Sequence, residues 1–203
     1  MAPASSGKGS LGNVAEVQLQ AIETDRLVLV SMTKRFLSAL SESDLDLAQS
    51  SVEFAVSRPC SLAGSRFIGR RLELIEKDPS QHAWMYRAVV RKSDHQMLGH
   101  ISFHHKAPDP DLLEYSELAA ELGYTIEPEY RRHGYAKESA VAMMEWAGRE
   151  HGVRDFILSI SPDNAPSLAL ARSMGFQVVG EQMDDIDGLE YVMNATLECI
   201  LRS

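Results

Sequence analysis

Between Glu121 and Lys137 an apolar, strand-like run passes through a basic loop containing Gly134 and goes straight into a helical pattern. The chemistry such a junction offers is anion binding. The first amides of a helix lack intrahelical acceptors and the macrodipole adds partial positive charge, so a phosphate placed there takes several main-chain hydrogen bonds. Gly134 lets the backbone approach closely, Ala136 keeps the next turn slim, and Arg131, Arg132 and Lys137 bring charge for the remaining oxygens. His133 contributes through its amide more than its ring. A diphosphate fits this pattern best. A solvated helix start would read the same way in isolation, so the surrounding elements decide.

Periodicity supplies those elements. Ile22 and Leu27 to Val30 form a first β-prone run, interrupted by the polar residues 23 to 26. Thr33 to Asp44 reads as a helix capped by Thr33 or Ser31, and Ser65 to Lys77 as a second, stopped by Asp78 and Pro79. Ala83 to Val90 and Met97 to His104 predict a hairpin, and Leu118 to Ile126 a further strand. A long helix follows over Tyr135 to Glu150, with Gly152 suited to its left-handed cap and Met143 and Met144 on its core face. Then come a strand at Phe156 to Ile160, a helix at Pro166 to Met174, and strands at Phe176 to Gly180 and Tyr191 to Leu201. This order predicts an α/β fold of mixed (α+β) type, with a mostly antiparallel sheet of about seven strands and about four helices; crossovers are too few for a doubly wound sheet.

Composition sets the frame. With 203 residues, 44% hydrophobic and 24% charged, the chain has enough apolar surface for a self-sufficient core. Residues 1–19, small and polar, are expected to be a flexible lead-in, and residues 20–203 a single domain. A net charge of −9 opposes nucleic-acid binding through clustered lysines and arginines and mildly favours small or basic partners. Cys60 and Cys199 lie far apart without metal-ligand spacing, so neither a disulfide framework nor a metal is expected. His104 and His105 are adjacent in a strand and would point to opposite faces, which argues against a shared ion. No window approaches a membrane span and no secretory signal opens the chain, so a cytoplasmic location is expected.

Three ordered stretches resemble the GNAT acetyltransferase superfamily. Arg131-x-x-Gly134-x-Ala136, led in by Glu121 to Tyr124 with Pro128 and Tyr130, is similar to that family's Gln/Arg-x-x-Gly-x-Gly/Ala signature and its preceding strand. Asn164 to Ser167, then Ala171 to Phe176, is similar to the Asn-x-x-Ser and Lys-x-Gly-Phe elements after the family's fifth strand. Ile22 to Leu29 resembles the opening strand of the branch related to ribosomal-protein-alanine N-acetyltransferases.

The resemblance implies a V-shaped splay between the fourth and fifth strands, with acetyl-CoA as co-substrate. Its diphosphate would lie on the amides of residues 131 to 136, and its arm would pair with the backbone near Thr125 and Ile126. His133, Tyr135 and Lys137 fall in the same loop and first turn, and Asn164 is either an arm contact or a turn residue. The implied reaction is N-acetylation of a primary amine, either a protein N-terminus or a small molecule, with no nucleic acid, no membrane and a possible homodimer. Glu121 is the expected general base, directly or through water, with Glu117 in reserve and Ser167 as donor to the leaving sulfur. The tyrosine that many relatives use as the acid has no match close in sequence to residues 164 to 175. A non-catalytic acyl-CoA sensor is the alternative.

Overall fold

The computed structural model describes residues 19–113, 115–184 and 188–203. Most of the expected lead-in thus lies outside the described residues. The first apolar run is folded back on itself: the Thr24 hydroxyl accepts from the Leu27 amide at 2.9 Å, and the Thr24 amide donates to the Leu27 carbonyl at 3.0 Å. One expected strand therefore becomes a hairpin of β1 (Ile22–Glu23) and β2 (Leu27–Ser31). The Thr33 hydroxyl accepts from the Phe36 amide and starts α1 (Lys34–Ser41). Asp44 does the same for α2 (Leu45–Ser50), a helix too short for periodicity to announce.

α3 (Arg66–Lys77) forms where a helix was expected, with the Ser65 hydroxyl capping it by accepting from the Phe67 amide. The next residues turn through a 3-10 segment, Pro79–Ala83, so the strand expected from Ala83 begins only at Arg87. β3 (Arg87–Arg91) and β4 (Gln96–Phe103) form the predicted hairpin, followed by β5 (Ala119–Ile126) and α4 (Tyr135–His151), which ends at left-handed Gly152 (φ 74°). β6 (Asp155–Ile160), α5 (Ala165–Ser173), β7 (Gln177–Asp184) and β8 (Gly188–Thr196) complete the sheet. The expected final strand stops short of Leu201, because the Thr196 hydroxyl accepts from the Cys199 amide and caps α6 (Leu197–Leu201).

Eight strands run in the order β1-β2-β3-β4-β5-β6-β8-β7, one more than predicted because of the split hairpin, and the described helices number six rather than four. Every pairing is antiparallel except β5 with β6. That exception matters most. β5 and β6 pair only at Ala119↔Asp155, Ala120↔Phe156 and Glu121↔Ile157, although the strands continue to Ile126 and Ile160. On its other edge β5 is paired with β4 through to Ile126↔Gly99. Gly99 permits that approach, since an added Cβ would lie 2.0 Å from the Thr125 carbonyl oxygen.

Alternation along the strands builds a core on each face. Leu27, Leu29, Val89, Phe103, Ala120 and Leu122 pack on Met143, Met144 and Ala147 of α4. Ala88, Val90 and Met97 face Phe36, Leu37, Leu40, Ile68 and Ile75 of α1 and α3. Each large side chain so buried contributes about 1.5–3 kcal/mol, so the gap between β5 and β6 is held in a well-packed frame. Among the described residues no helix is long and apolar enough to cross a membrane.

Candidate active site

Two features meet at β5. At its C-terminal end, the loop over Arg131 to Gly134 is exposed, with left-handed backbone at Arg132 (φ 66°) and at Gly134 (φ 81°), which immediately precedes α4. Among the described residues, no acceptor within the chain takes the amides of Arg132 to Lys137. Neighbouring side chains fix the loop's shape. Arg131 donates its Nε to the Ile126 carbonyl at 2.8 Å, tying the loop to the strand end. Arg26 donates to the His133 carbonyl at 3.0 Å and lies over the Tyr135 ring at 4.7 Å. His133 stacks on Tyr135 at 5.7 Å and uses Nδ1 on the Arg131 carbonyl at 2.7 Å, so its ring serves the loop's own fold. Ala136 lies in the first turn, whereas Lys137 extends to the carbonyls of Ser173 and Ser203 at 3.2 and 3.4 Å.

The second feature is a cleft of about 690 Å³ on the α3 side of the parting strands. Glu121, the last β5 residue paired with β6, enters it together with Gly123 and Thr125. Thr125 pairs with His100, and Ile126 with Gly99, so β4 holds both on one edge only. The Glu121 carboxylate takes Nδ1 of His104 at 3.1 Å. Burial raises its pKa, but the His104 ring, the Ser159 hydroxyl and Arg71 outweigh burial and hold the carboxyl below the usual carboxylate range. Glu117 is elsewhere, exposed on the turn before β5.

Asn164 caps α5 by accepting from the Ser167 amide at 3.2 Å, the turn role that was one of its two readings. Ser167 sits in that first turn, and beside it lies the Tyr124 hydroxyl, enclosed and without a well-formed hydrogen bond among the described residues. Burial pushes Tyr124 up to about 12, against a smaller pull from Ser167. A tyrosine that has no match in the sequence near Ser167 thus stands beside it in space, on β5. His104 and Arg71 are likewise functional candidates that local spacing does not disclose. The two histidines lie in the bend just past β4 rather than in the strand expected for them, and they diverge, His104 to Glu121 and His105 to within 4.0 Å of Asp111. The ligand atoms of His105, Asp109 and Asp111 lie within 4.8 Å of one another at the cleft.

An open amide loop at a helix start, next to a sheet parted at one parallel pair, is the arrangement the sequence resemblance implied. Residues 26–177 match the family described as the Acetyltransferase (GNAT) domain. This chain belongs to the GNAT acetyltransferase family. A curated relative, the uncharacterized N-acetyltransferase YnaD of Bacillus subtilis (strain 168), is 26% identical to this GNAT chain over 106 residues. The match covers 52% of this chain and 57% of the relative, little more than half of each. Solved structures share the GNAT fold at greater coverage. A GNAT-family acetyltransferase from Bacillus anthracis is 21% identical, covering 88% of this chain and 99% of that one, with a TM-score of 0.57. Ribosomal-protein-S5-alanine acetyltransferase from Vibrio fischeri is 16% identical over 88% and 97%, with a TM-score of 0.59. RimL, a ribosomal L7/L12 alpha-N-protein acetyltransferase solved in complex with coenzyme A, is 17% identical over 89% and 99%, with a TM-score of 0.58. At these identities the likeness is one of fold.

Proposed function

We propose that this GNAT chain transfers an acetyl group from acetyl-CoA to a primary amine by direct attack on the thioester. The observation that carries the reading is the parting of β5 and β6 beyond Glu121, which leaves one edge of residues 122 to 126 unpaired beside an open amide loop. An extended, amide-bearing arm can add to such an edge as a strand, and Ile126 to Glu121 spans about 17 Å at ~3.3 Å per residue. Thr125 and Ile126 then hold the arm, with Asn164 facing it from α5. The amides from Arg132 to Ala136 take the diphosphate, the Arg131 amide being engaged by the Pro128 carbonyl at 3.3 Å, with Arg132, the rest of the Arg131 fork and Lys137 adding positive charge.

Bound acetyl-CoA supplies the activated acyl carbon. Glu121 stands where the gap opens and serves removal of the amine proton, as the base itself, through water, or through the His104 ring 3.1 Å away. Ser167, with Tyr124 behind it, donates to the leaving sulfur; a hydroxyl with a pKa pushed up to about 12 keeps its proton throughout the working range. The acceptor is a protein N-terminus or a small-molecule amine, and the fold neighbours named for acetylating ribosomal proteins support the former. The reaction belongs to a single domain over residues 20–203 and to the cytoplasm.

The test mixes the protein, acetyl-CoA and a panel of amines that includes peptides with free N-termini, and follows thiol release. Acceptor-dependent release is expected, together with thermal stabilisation by acetyl-CoA that Gly134→Glu abolishes by filling the loop. Stabilisation by acetyl-CoA with no release for any acceptor would convert the reading to a non-catalytic acyl-CoA-binding module. An unchanged shift in Gly134→Glu would remove the loop assignment.

A further inference from the structure

We propose that Nε2 of His104 is the atom that takes the proton from the attacking amine, and that Glu121 is the positioning residue that orients the ring; this rests on the acetyl-transfer reading above. His104 directly follows β4, and its amide donates to the Glu121 carbonyl at 2.9 Å, carrying the β4–β5 ladder one step past Phe103↔Leu122. The two residues are therefore placed side by side by backbone register. Their side chains then meet, Nδ1 to Oε2 at 3.1 Å. A carboxylate only accepts, so Nδ1 carries the hydrogen and the neutral ring leaves its lone pair on Nε2.

Gly123 makes the space for that nitrogen: a Cβ there would lie 3.3 Å from Nε2. Because Glu121 is the last residue of β5 bonded to β6, the ring stands at the root of the gap into which a thioester would reach. His104 is also the accessible member of the pair, its side chain 40% exposed against 12% for Glu121, so an amine arriving through the cleft meets imidazole first. A carboxylate held below its usual range is a poor match for an ammonium proton. Arg71 from α3, His105, Asp109 and Asp111 from the loop after β4, and Asp184 and Glu190 from the β7–β8 hairpin face the same cleft and set the field around the ring.

In the step, the amine nitrogen bonds the acyl carbon, the carbon–sulfur bond breaks with its electron pair leaving on sulfur, and the nitrogen's proton passes to Nε2. The imidazolium so formed is met by the Glu121 carboxylate on its other side. Glu121 thus stabilises a charge that exists only during reaction.

The assignment is read first by nitrogen NMR on the full chain labelled at histidine, with the His104 signals identified by their loss in His104→Gln. The expected neutral form has its hydrogen on Nδ1; a ring protonated at Nε2 instead overturns the proposal. Kinetics with an amine that supports thiol release gives the second reading. His104→Gln should lower kcat by about 10²–10⁴-fold while acetyl-CoA stabilisation persists. Glu121→Gln should leave a working base but move the acidic limb of the kcat/KM profile to lower pH, since the imidazolium loses its counter-charge. Abolished turnover in Glu121→Gln with near-normal turnover in His104→Gln would make the carboxylate itself the base and sink this assignment alone. Absence of release for every amine would remove the acetyl-transfer reading and this one with it.

Discussion

His100 stands on β4 opposite Thr125, with its Nδ1 enclosed and no hydrogen-bond partner among the described residues. Burial pushes its pKa down to about 4 from an ordinary 6.5. Between those values the unfolded chain binds a proton that the folded chain refuses, so stability rises with pH across that window and falls as pH drops from 6.5 toward 4. The loss is up to ~3 kcal/mol. Urea unfolding at pH 7 and pH 4.5 should show it in the wild type and show a smaller loss in His100→Gln; equal losses would refute the assignment. At this scale the open loop was legible in the sequence, because Arg132 to Lys137 offer their amides from contiguous backbone. The side-chain pairs of the cleft were not. His104 and Glu121 are seventeen positions apart and Tyr124 and Ser167 forty-three apart, and both pairs exist only through strand register and the return of α5. The two histidines diverge, but in the bend after β4 rather than by strand alternation, and the alternation rule did not say what His104 would meet.

The loop at the start of α4 is braced from an unrelated element. Glu138 accepts from the Thr24 hydroxyl at 2.6 Å, the Arg26 amide at 3.0 Å and the Arg26 Nε at 2.7 Å, and Arg26 in turn holds the His133 carbonyl. The turn that divides β1 from β2 thus sets the shape of the open loop before α4. Glu138→Ala should cost about 1–2 kcal/mol, since the Arg26 side is half exposed and screened, and should reduce acetyl-CoA stabilisation more than it reduces the melting temperature of the free protein. Equal losses in free and loaded protein would mean the brace serves stability alone. Elements with a full apolar period, such as α3, α4 and β4, were legible to within a residue or two. Those decided by one hydroxyl or carboxylate were not: Thr24 splits the first strand, Asp44 starts α2 and Thr196 turns the last strand into α6. A cap overrides the apolar pattern locally, and Cys199 to Leu201 are as compatible with strand as with helix.

Across the whole molecule, the boundary expected near residue 20 can be tested at Arg87. Buried Arg87 donates to the carbonyls of Gln20 at 3.0 Å, Leu29 at 3.4 Å and Ala83 at 3.0 Å, and stacks on Trp146 at 5.2 Å. A chain begun at residue 19 should keep the melting temperature of the full chain, whereas one begun at residue 22 should lose about 1–3 kcal/mol because a buried guanidinium is left short of an acceptor. Identical stability for the two would place the boundary further into the chain. The three-residue seam between β5 and β6 has a broader consequence. On the proposed reading the nucleotide would rest on main-chain groups of β5 and α4, while the cleft is furnished by side chains of α3, the loop after β4 and the β7–β8 hairpin. The donor's grip and the choice of recipient would then be modular, and exchanging the hairpin and α3 surfaces should retarget the catalyst without rebuilding its engine.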